Sequence, residues 1–169
     1  MNVKLIFPSE KNKEDVLDFY REIEMAGSEC IGKRNSDHYE AWLEEMRNRQ
    51  AGTNLPEAYV RENFYLCYDE EKLIGVYSLK FELTDYLLHF GGHIGYAVRP
   101  SQRKKGYATA ILAKGLQKAK ELGFFRVLCI CDEDNIASEK TILKNGGVFE
   151  NALFDPEEDV KVKRFWIEL

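Results

Sequence analysis

The chain has 169 residues, of which 44% are hydrophobic and 31% are charged, and this composition indicates one globular domain spanning residues 1–169. Its 24 basic residues are outnumbered by 29 acidic ones, which argues against nucleic acid as a partner because phosphate-backbone binding needs a basic face. No apolar run approaches the roughly 20 residues that cross a bilayer, so we expect no membrane partner and a cytoplasmic location.

The N-terminal half is predicted to contain a strand, two helices and a β-hairpin. The helices follow from apolar side chains that recur at a spacing of three and four residues. The hairpin follows from two apolar and aromatic runs that flank a charged turn at residues 69–72. The predicted elements are strand 3–7, helix 12–26, a second helix containing His38, Trp42, Leu43 and Met46, and strands 64–68 and 73–79.

The C-terminal half alternates predicted strands with predicted helices. The elements are strand 93–98, a helix with an apolar stripe from Ala108 to Leu122, strand 126–131, a helix opened by Asn135, and strands 148–149 and 160–167. Helices between the strands of a hairpin-rich pattern predict an α/β fold in which a mixed α+β sheet carries helices on its faces.

A basic loop joins the strand 93–98 to the helix that follows it. The loop contains Arg103, Lys104 and Lys105, and the helix starts close to Gly106. The first N–H groups of a helix have no partner within it and carry partial positive charge, so an anion can bind to the backbone there. Glycine leaves that approach open because it has no side chain. The sequence therefore predicts a site for a diphosphate.

The sequence Arg103-x-x-Gly106-x-Ala108 resembles the acetyl-CoA signature of the GNAT superfamily of N-acetyltransferases, whose usual form is Arg/Gln-x-x-Gly-x-Gly/Ala. The order of the surrounding elements fits that family over a core at residues 88–150, and the flanking elements extend the resemblance to the whole chain. The resemblance implies a mostly antiparallel central sheet with helices on both faces. It also implies that the fourth and fifth strands splay apart, which exposes backbone groups to the amides of CoA.

The same resemblance implies that acetyl-CoA is the cosubstrate and suggests how the chain contacts it. The backbone N–H near Val98 would polarise the thioester carbonyl, the basic loop would hold the diphosphate, and Asn135 would bond the pantetheine arm or a fixed water. The implied contact residues are Tyr96, Ala97, Val98, Arg103, Lys104, Lys105, Gly106, Tyr107, Ala108, Asn135 and Ser138.

The general base is predicted among three residues. His93 is the first choice because a histidine titrates near neutral pH and its strand leads to the implied acetyl site. Glu82 and Tyr96 are the second choices. Since side chains alternate along a strand, Tyr96 is expected on the face opposite His93 unless a bulge shifts the register.

The general acid of many family members is missing from this chain. Those members carry a tyrosine seven residues after the asparagine that opens the second helix, and that position is Ile142 here. Three alternatives remain: another hydroxyl protonates the departing thiolate, a water does so, or the thiolate leaves unaided. The last is tolerable because a thiol has a pKa of about 8.5.

Two further clusters have more than one reading. Asp132, Glu133 and Asp134 follow a predicted strand, where they either attract a cationic amine or cap the next helix. The four cysteines lack the paired spacing of a zinc site, and we expect no metal.

These observations lead to three hypotheses about function. The first is an N-acetyltransferase in which a small-molecule amine or a peptide amine attacks acetyl-CoA directly. The second is a non-catalytic acyl-CoA sensor or regulatory module, and the third is a protein-interaction domain that binds no CoA. The loops around residues 27–60 and 82–92 are expected to shape the acceptor site. Strand edges near the C-terminus are compatible with a homodimer.

Overall fold

The computed structural model of the protein describes residues 1–33 and 38–169, so part of the loop region 27–60 lies outside the described residues. The helices are α1 (Lys13–Met25), α2 (Tyr39–Ala51), α3 (Tyr107–Glu121) and α4 (Ile136–Lys144). The strands are β1 (Val3–Ile6), β2 (Glu62–Asp69), β3 (Lys72–Lys80), β4 (Ile94–Val98), β5 (Arg126–Asp132), β6 (Val148–Asp155) and β7 (Val160–Glu168).

The strands form one seven-stranded sheet in the order β1-β2-β3-β4-β5-β7-β6. Every neighbouring pair is antiparallel except β4 and β5, which run parallel. The predicted mixed, mostly antiparallel sheet is confirmed.

Helices cover both faces of this sheet. On one face, the buried side of α3, including Ile111 and Leu112, packs into a core with Val127 and Phe165. On the other face, α1 and α2 pack against β2 and β3 in a second core that includes Trp42. Because side chains alternate along a strand, successive sheet residues contribute to the two cores in turn. The prediction of helices on both faces is confirmed.

The fourth and fifth strands pair only where the N-terminal end of β4 meets the middle of β5. Their register consists of one pair, Ile94 with Cys129, and the His93 backbone N–H donates to the Leu128 carbonyl at 2.8 Å. Beyond this point the described residues of β4 and β5 are not paired with each other. The predicted splay is therefore confirmed, and it opens toward Val98 and Asp132. We call this opening the β4–β5 gap.

Two local features differ from the sequence prediction. Residues 87–91 form a short π-helical turn rather than an irregular loop, closed by a bond from the Gly92 N–H to the Leu87 carbonyl. β6 extends to Asp155, beyond the predicted pair 148–149. A register shift between Phe149 and Asn151 breaks the period-two pattern of β6, and a sequence pattern does not reveal such a shift.

Candidate active site

The loop before α3 presents a row of backbone donors. Gly106 is the N-cap residue of α3 with a φ of 88°, and Lys104 also has a positive φ of 62°. The N–H groups of residues 104–109 find no acceptor within residues 1–33 and 38–169. A Cβ built on Gly106 would meet only the Met1 methyl carbon, at 3.7 Å. A ligand can therefore approach these amides closely, as a diphosphate requires.

Basic side chains surround this row of amides. Arg103, Lys104 and Lys105 are all exposed, and the ammonium of Lys105 is held by the Ser101 carbonyl at 2.9 Å and by Gln102 at 3.1 Å. The positive end of the α3 dipole lies at the same place. Charge and open donors thus coincide, and the predicted diphosphate residues are brought together in one loop.

The edge of β4 offers unpaired backbone groups to the β4–β5 gap. The Arg99 N–H donates to the Ile74 carbonyl at 2.9 Å, and the Lys80 N–H donates to the His93 carbonyl at 2.8 Å. Odd-numbered residues of β4 therefore bond to β3, and the even-numbered Tyr96 and Val98 direct their backbone groups into the gap. These are groups with which an amide-rich chain can hydrogen-bond.

Two hydroxyl groups meet at the gap from different elements. The Tyr96 hydroxyl on β4 lies 2.8 Å from the Ser138 hydroxyl oxygen on α4. We call Tyr96 and Ser138 the hydroxyl pair. Burial raises the pKa of Tyr96 to about 12, so the phenol keeps its proton at neutral pH. Burial also raises the pKa of the neighbouring Cys131 thiol to about 11.

Asn135 has a structural task in positioning Ser138. Its side-chain oxygen accepts a hydrogen bond from the Ser138 N–H at 3.1 Å and caps the N-terminus of α4. Seven residues later, Ile142 is fully buried in the core beneath α4. The position that carries a tyrosine in many GNAT members thus serves packing here.

His93 lies at the paired end of β4 and β5 and makes a buried hydrogen bond. Its Nδ1 accepts from the Leu128 N–H at 2.8 Å, so the neutral ring carries its proton on Nε2 and has no free acceptor nitrogen. The ring packs edge-on against Phe124 and Trp166, and only 9% of the residue is exposed. Burial first, then the charges of Lys80 and Arg126, lower its pKa to about 4.

The other two predicted bases, Glu82 and Tyr96, differ in their distance from the gap. Glu82 is exposed, and no contact joins it to the hydroxyl pair within the described residues. The β3–β4 register contains no bulge, so Tyr96 and His93 point to opposite faces, as strand periodicity predicts. Of the three predicted residues, only Tyr96 places a polar atom at the gap.

The acidic run after β5 is engaged in local contacts. Glu133 forms an ion pair with Lys161 at 2.9 Å. The Asp132 and Asp134 carbonyls accept backbone hydrogen bonds at the start of α4, where Asn135 provides the cap. Among residues 1–33 and 38–169, no three His, Cys, Asp or Glu side chains cluster as metal ligands do.

Helix α1 holds the basic loop through contacts that no sequence pattern indicates. The Arg99 guanidinium, 7% exposed, bonds Asp18 at 3.1 Å and lies 3.5 Å from Glu22. Glu22 also accepts the Ser101 N–H at 2.6 Å. These residues are about 80 positions apart in sequence, and no periodic pattern relates them. α1 thereby fixes the C-terminal end of β4 and the start of the basic loop.

Comparison with known proteins gives one family match and several structural matches. The model of the acetyltransferase (GNAT) family matches residues 27–146. No curated protein sequence matches the chain. Within the part of the chain that the structure covers, no helix has the length and hydrophobicity of a membrane span.

Solved structures of three acetyltransferases share the fold at low identity. The microcin C7 self-immunity acetyltransferase MccE, in complex with acetyl-CoA and AMP, is 20% identical, with a TM-score of 0.72 over 99% of this chain and 92% of that one. A spermidine N-acetyltransferase SpeG chimera from Vibrio cholerae and hSSAT is 19% identical, with a TM-score of 0.66 over 99% and 96%. A Salmonella typhimurium enzyme that modifies the N-terminal serine of ribosomal protein L7/L12 is 14% identical, with a TM-score of 0.75 over 100% and 96%.

Proposed function

Because the chain belongs to the acetyltransferase (GNAT) family, we propose that it is an N-acetyltransferase that acetylates a primary amine with acetyl-CoA, the cosubstrate of that family. The observation that carries the proposal is the row of free amides at residues 104–109, which lies directly beyond the open end of the β4–β5 gap. A diphosphate recognised at the row would lead the rest of CoA along β4.

Residues of the basic loop would hold the charged diphosphate of acetyl-CoA, and residues of β4 would hold its amide groups. The amides of residues 104–109 and the three basic side chains fit the diphosphate. The backbone groups of Tyr96 and Val98 fit the amides of the pantetheine arm. When bound, acetyl-CoA supplies an activated acetyl thioester. The contribution of Ala97, Tyr107 and Ala108 is proposed as lining of the same path.

The hydroxyl pair is proposed as the proton source at the gap. Tyr96 retains its proton because burial raises its pKa to about 12, and Ser138 accepts from or donates to it at 2.8 Å. A proton held at either oxygen can pass between them without a change in the fold. The pair would therefore do the work for which many family members use the tyrosine that Ile142 replaces here.

We propose that the acceptor amine is deprotonated without a protein base. His93 has its Nδ1 bonded to the Leu128 N–H, and its lowered pKa of about 4 makes it a weak base. Glu82 is exposed, and within the described residues no contact joins it to the hydroxyl pair. An amine that loses its proton to water before attack needs neither residue. Proximity to the thioester and orientation along β4 then supply the acceleration.

A primary amine is proposed as acceptor because enzymes of this fold acetylate such groups. One structural match is a spermidine N-acetyltransferase, and another modifies an N-terminal serine. Gly95 and Ala97 are partly buried on the face of β4 opposite the hydroxyl pair, next to Ile31, and we propose that a small amine or the end of a peptide approaches from this side.

The experiment that tests the proposal measures thiol release from acetyl-CoA over a panel of amines. The panel contains spermidine, a peptide with an N-terminal serine and a peptide with an internal lysine. Release with at least one amine, together with mass spectrometric detection of the acetylated product, is expected. Calorimetric binding of CoA without release across the panel would favour an acyl-CoA sensor instead, a reading that Ile142 keeps open.

A further inference from the structure

The segment after α1 contacts both the basic loop and the face of β4 opposite the hydroxyl pair. At one end, the Ser28 hydroxyl oxygen accepts from the two terminal nitrogens of Arg103, at 3.1 and 3.2 Å. At the other end, the Ile31 side chain lies against Gly95, since a Cβ there would be 3.1 Å from it. Residues 27–33 therefore connect the predicted diphosphate site with the face of β4 that carries Gly95. We call residues 27–33 the α1 loop.

The Arg103 guanidinium is engaged on both of its bidentate edges. Its terminal nitrogens bond Ser28, and its Nε donates to the Val98 carbonyl at 3.3 Å. A guanidinium binds a phosphate best through two parallel N–H groups on one edge. Arg103 cannot bind a phosphate in that way without giving up Ser28 or Val98. The Val98 carbonyl, in turn, borders the β4–β5 gap.

We propose that Arg103 is an exchangeable latch, which holds the α1 loop through Ser28 and covers the Val98 carbonyl until the diphosphate of CoA takes its guanidinium. The proposal rests on the proposed binding of CoA. The exchange is favourable because a phosphate pairs the guanidinium charge with an opposite charge in a bidentate geometry, whereas the Ser28 hydroxyl and the Val98 carbonyl are neutral acceptors. Binding of CoA through the two terminal nitrogens then releases the Ser28 hydroxyl, and binding through the Nε edge releases the Val98 carbonyl.

Other contacts hold the C-terminal part of the α1 loop in place when Arg103 leaves Ser28. The Tyr20 hydroxyl donates to the Ile31 carbonyl at 2.9 Å, and the Trp42 indole donates to the Gly32 carbonyl at 2.7 Å. Neither bond involves Arg103. The Ser28 N–H, which donates to the Ile23 carbonyl at 3.1 Å, is the backbone bond nearest the latch. Its hydrogen exchange reports whether the latch is closed.

The test compares CoA affinity of the wild type with that of Ser28→Ala by calorimetry. Loss of the hydroxyl removes a competitor for Arg103, so CoA should bind about threefold to tenfold more tightly, the change that one hydrogen bond is worth. Ser101→Ala is the matched control because its hydroxyl lies in the same region and bonds Glu22 rather than Arg103, and its affinity should equal that of the wild type.

A second measurement follows exchange of the Ser28 amide. Addition of CoA should accelerate exchange at Ser28 in the wild type, and Ser28→Ala should already exchange fast without CoA. Equal or weaker CoA binding by Ser28→Ala, with wild-type exchange unchanged by CoA, would overturn the latch while the proposed function stands. A wild type that binds no CoA by calorimetry would instead overturn the proposed function, and the latch with it.

Discussion

The two ends of the β4–β5 gap are built for different tasks. At the paired end, the His93 backbone and side chain both bond Leu128, and Gly92 has a φ of 72°. A Cβ on Gly92 would lie 2.7 Å from the Leu128 carbonyl oxygen, so only glycine permits this approach. At the open end, Tyr96 meets Ser138 and the amides of residues 104–109 are free.

The comparison teaches that closure at one end makes the opening at the other possible. Parallel strands that are fixed together at one point and diverge beyond it present unpaired backbone without losing the continuity of the sheet. The side chains at the two ends differ as well. The paired end holds a histidine that is neutral and buried, and the open end holds hydroxyl groups that keep their protons. The predictions below separate the two tasks.

The largest effect is expected from loss of the hydroxyl pair. Tyr96→Phe combined with Ser138→Ala removes both proton donors, and kcat for acetyl transfer should fall about 10²-fold to 10⁴-fold, the usual worth of general acid catalysis. CoA affinity should change little, because the backbone contacts of β4 remain.

The control for that variant is Tyr86→Phe, whose hydroxyl bonds Asp155 away from the gap. It should retain kcat. Steady-state kinetics on the folded variants decide the matter, and an undiminished kcat in the double variant would mean that water protonates the thiolate.

The next effect is expected at the paired end of the gap, and it changes the free energy of unfolding rather than kcat. The pKa of His93 is lowered from 6.5 to about 4 in the folded protein. As pH falls below 6.5, the unfolded chain binds a proton that the folded one refuses, so the free energy of unfolding decreases until about pH 4 and then levels off. The decrease from this group amounts to at most about 3 kcal/mol.

Denaturant unfolding between pH 4 and 8 measures this contribution. His93→Asn keeps an acceptor for the Leu128 N–H and cannot titrate, so its stability should lack that part of the acid decrease. Its pH profile for acetyl transfer should match that of the wild type. A stable His93→Asn protein with kcat reduced a hundredfold would restore His93 as the general base.

A smaller effect is expected at the N-terminus of α3. Gly106→Ala places a methyl group among the free amides and should weaken CoA binding by about tenfold, the cost of one impaired charge-assisted bond. Gly123→Ala is the matched control, since Gly123 has a φ of 91°, close to the 88° of Gly106, and lies at the far end of α3.

Both glycine variants carry the same backbone strain, so both should lose similar stability, on the order of 1 kcal/mol. Only Gly106→Ala should lose CoA affinity when the two are titrated by calorimetry. Equal affinity in the two variants would remove the amides near Gly106 from the binding site.

The basic loop was accessible to sequence reasoning because its determinants are local. A run of basic residues before Gly106 and a helix start define the loop within a few positions, and the family resemblance supplied the splay. The fold prediction was confirmed for the same reason: apolar periodicity identifies strands and helices, and their order leaves few arrangements of the sheet.

The chemistry of individual side chains was not accessible, because it depends on residues far apart in sequence. The role of His93 follows from Leu128, Phe124 and Trp166, which enclose it only in the folded sheet. The Tyr96–Ser138 contact joins positions 42 residues apart. A histidine at the start of a strand has the same local pattern whether it is buried and bonded or free to accept a proton.

The most direct test of the central claim is backbone amide exchange of the wild type with and without CoA. If the open end of the gap is the cofactor site, exchange should slow at residues 104–109 and at Tyr96 and Val98, while Leu128 at the paired end should not change. Binding of CoA without protection of residues 104–109, or protection confined to another part of the chain, would contradict the account.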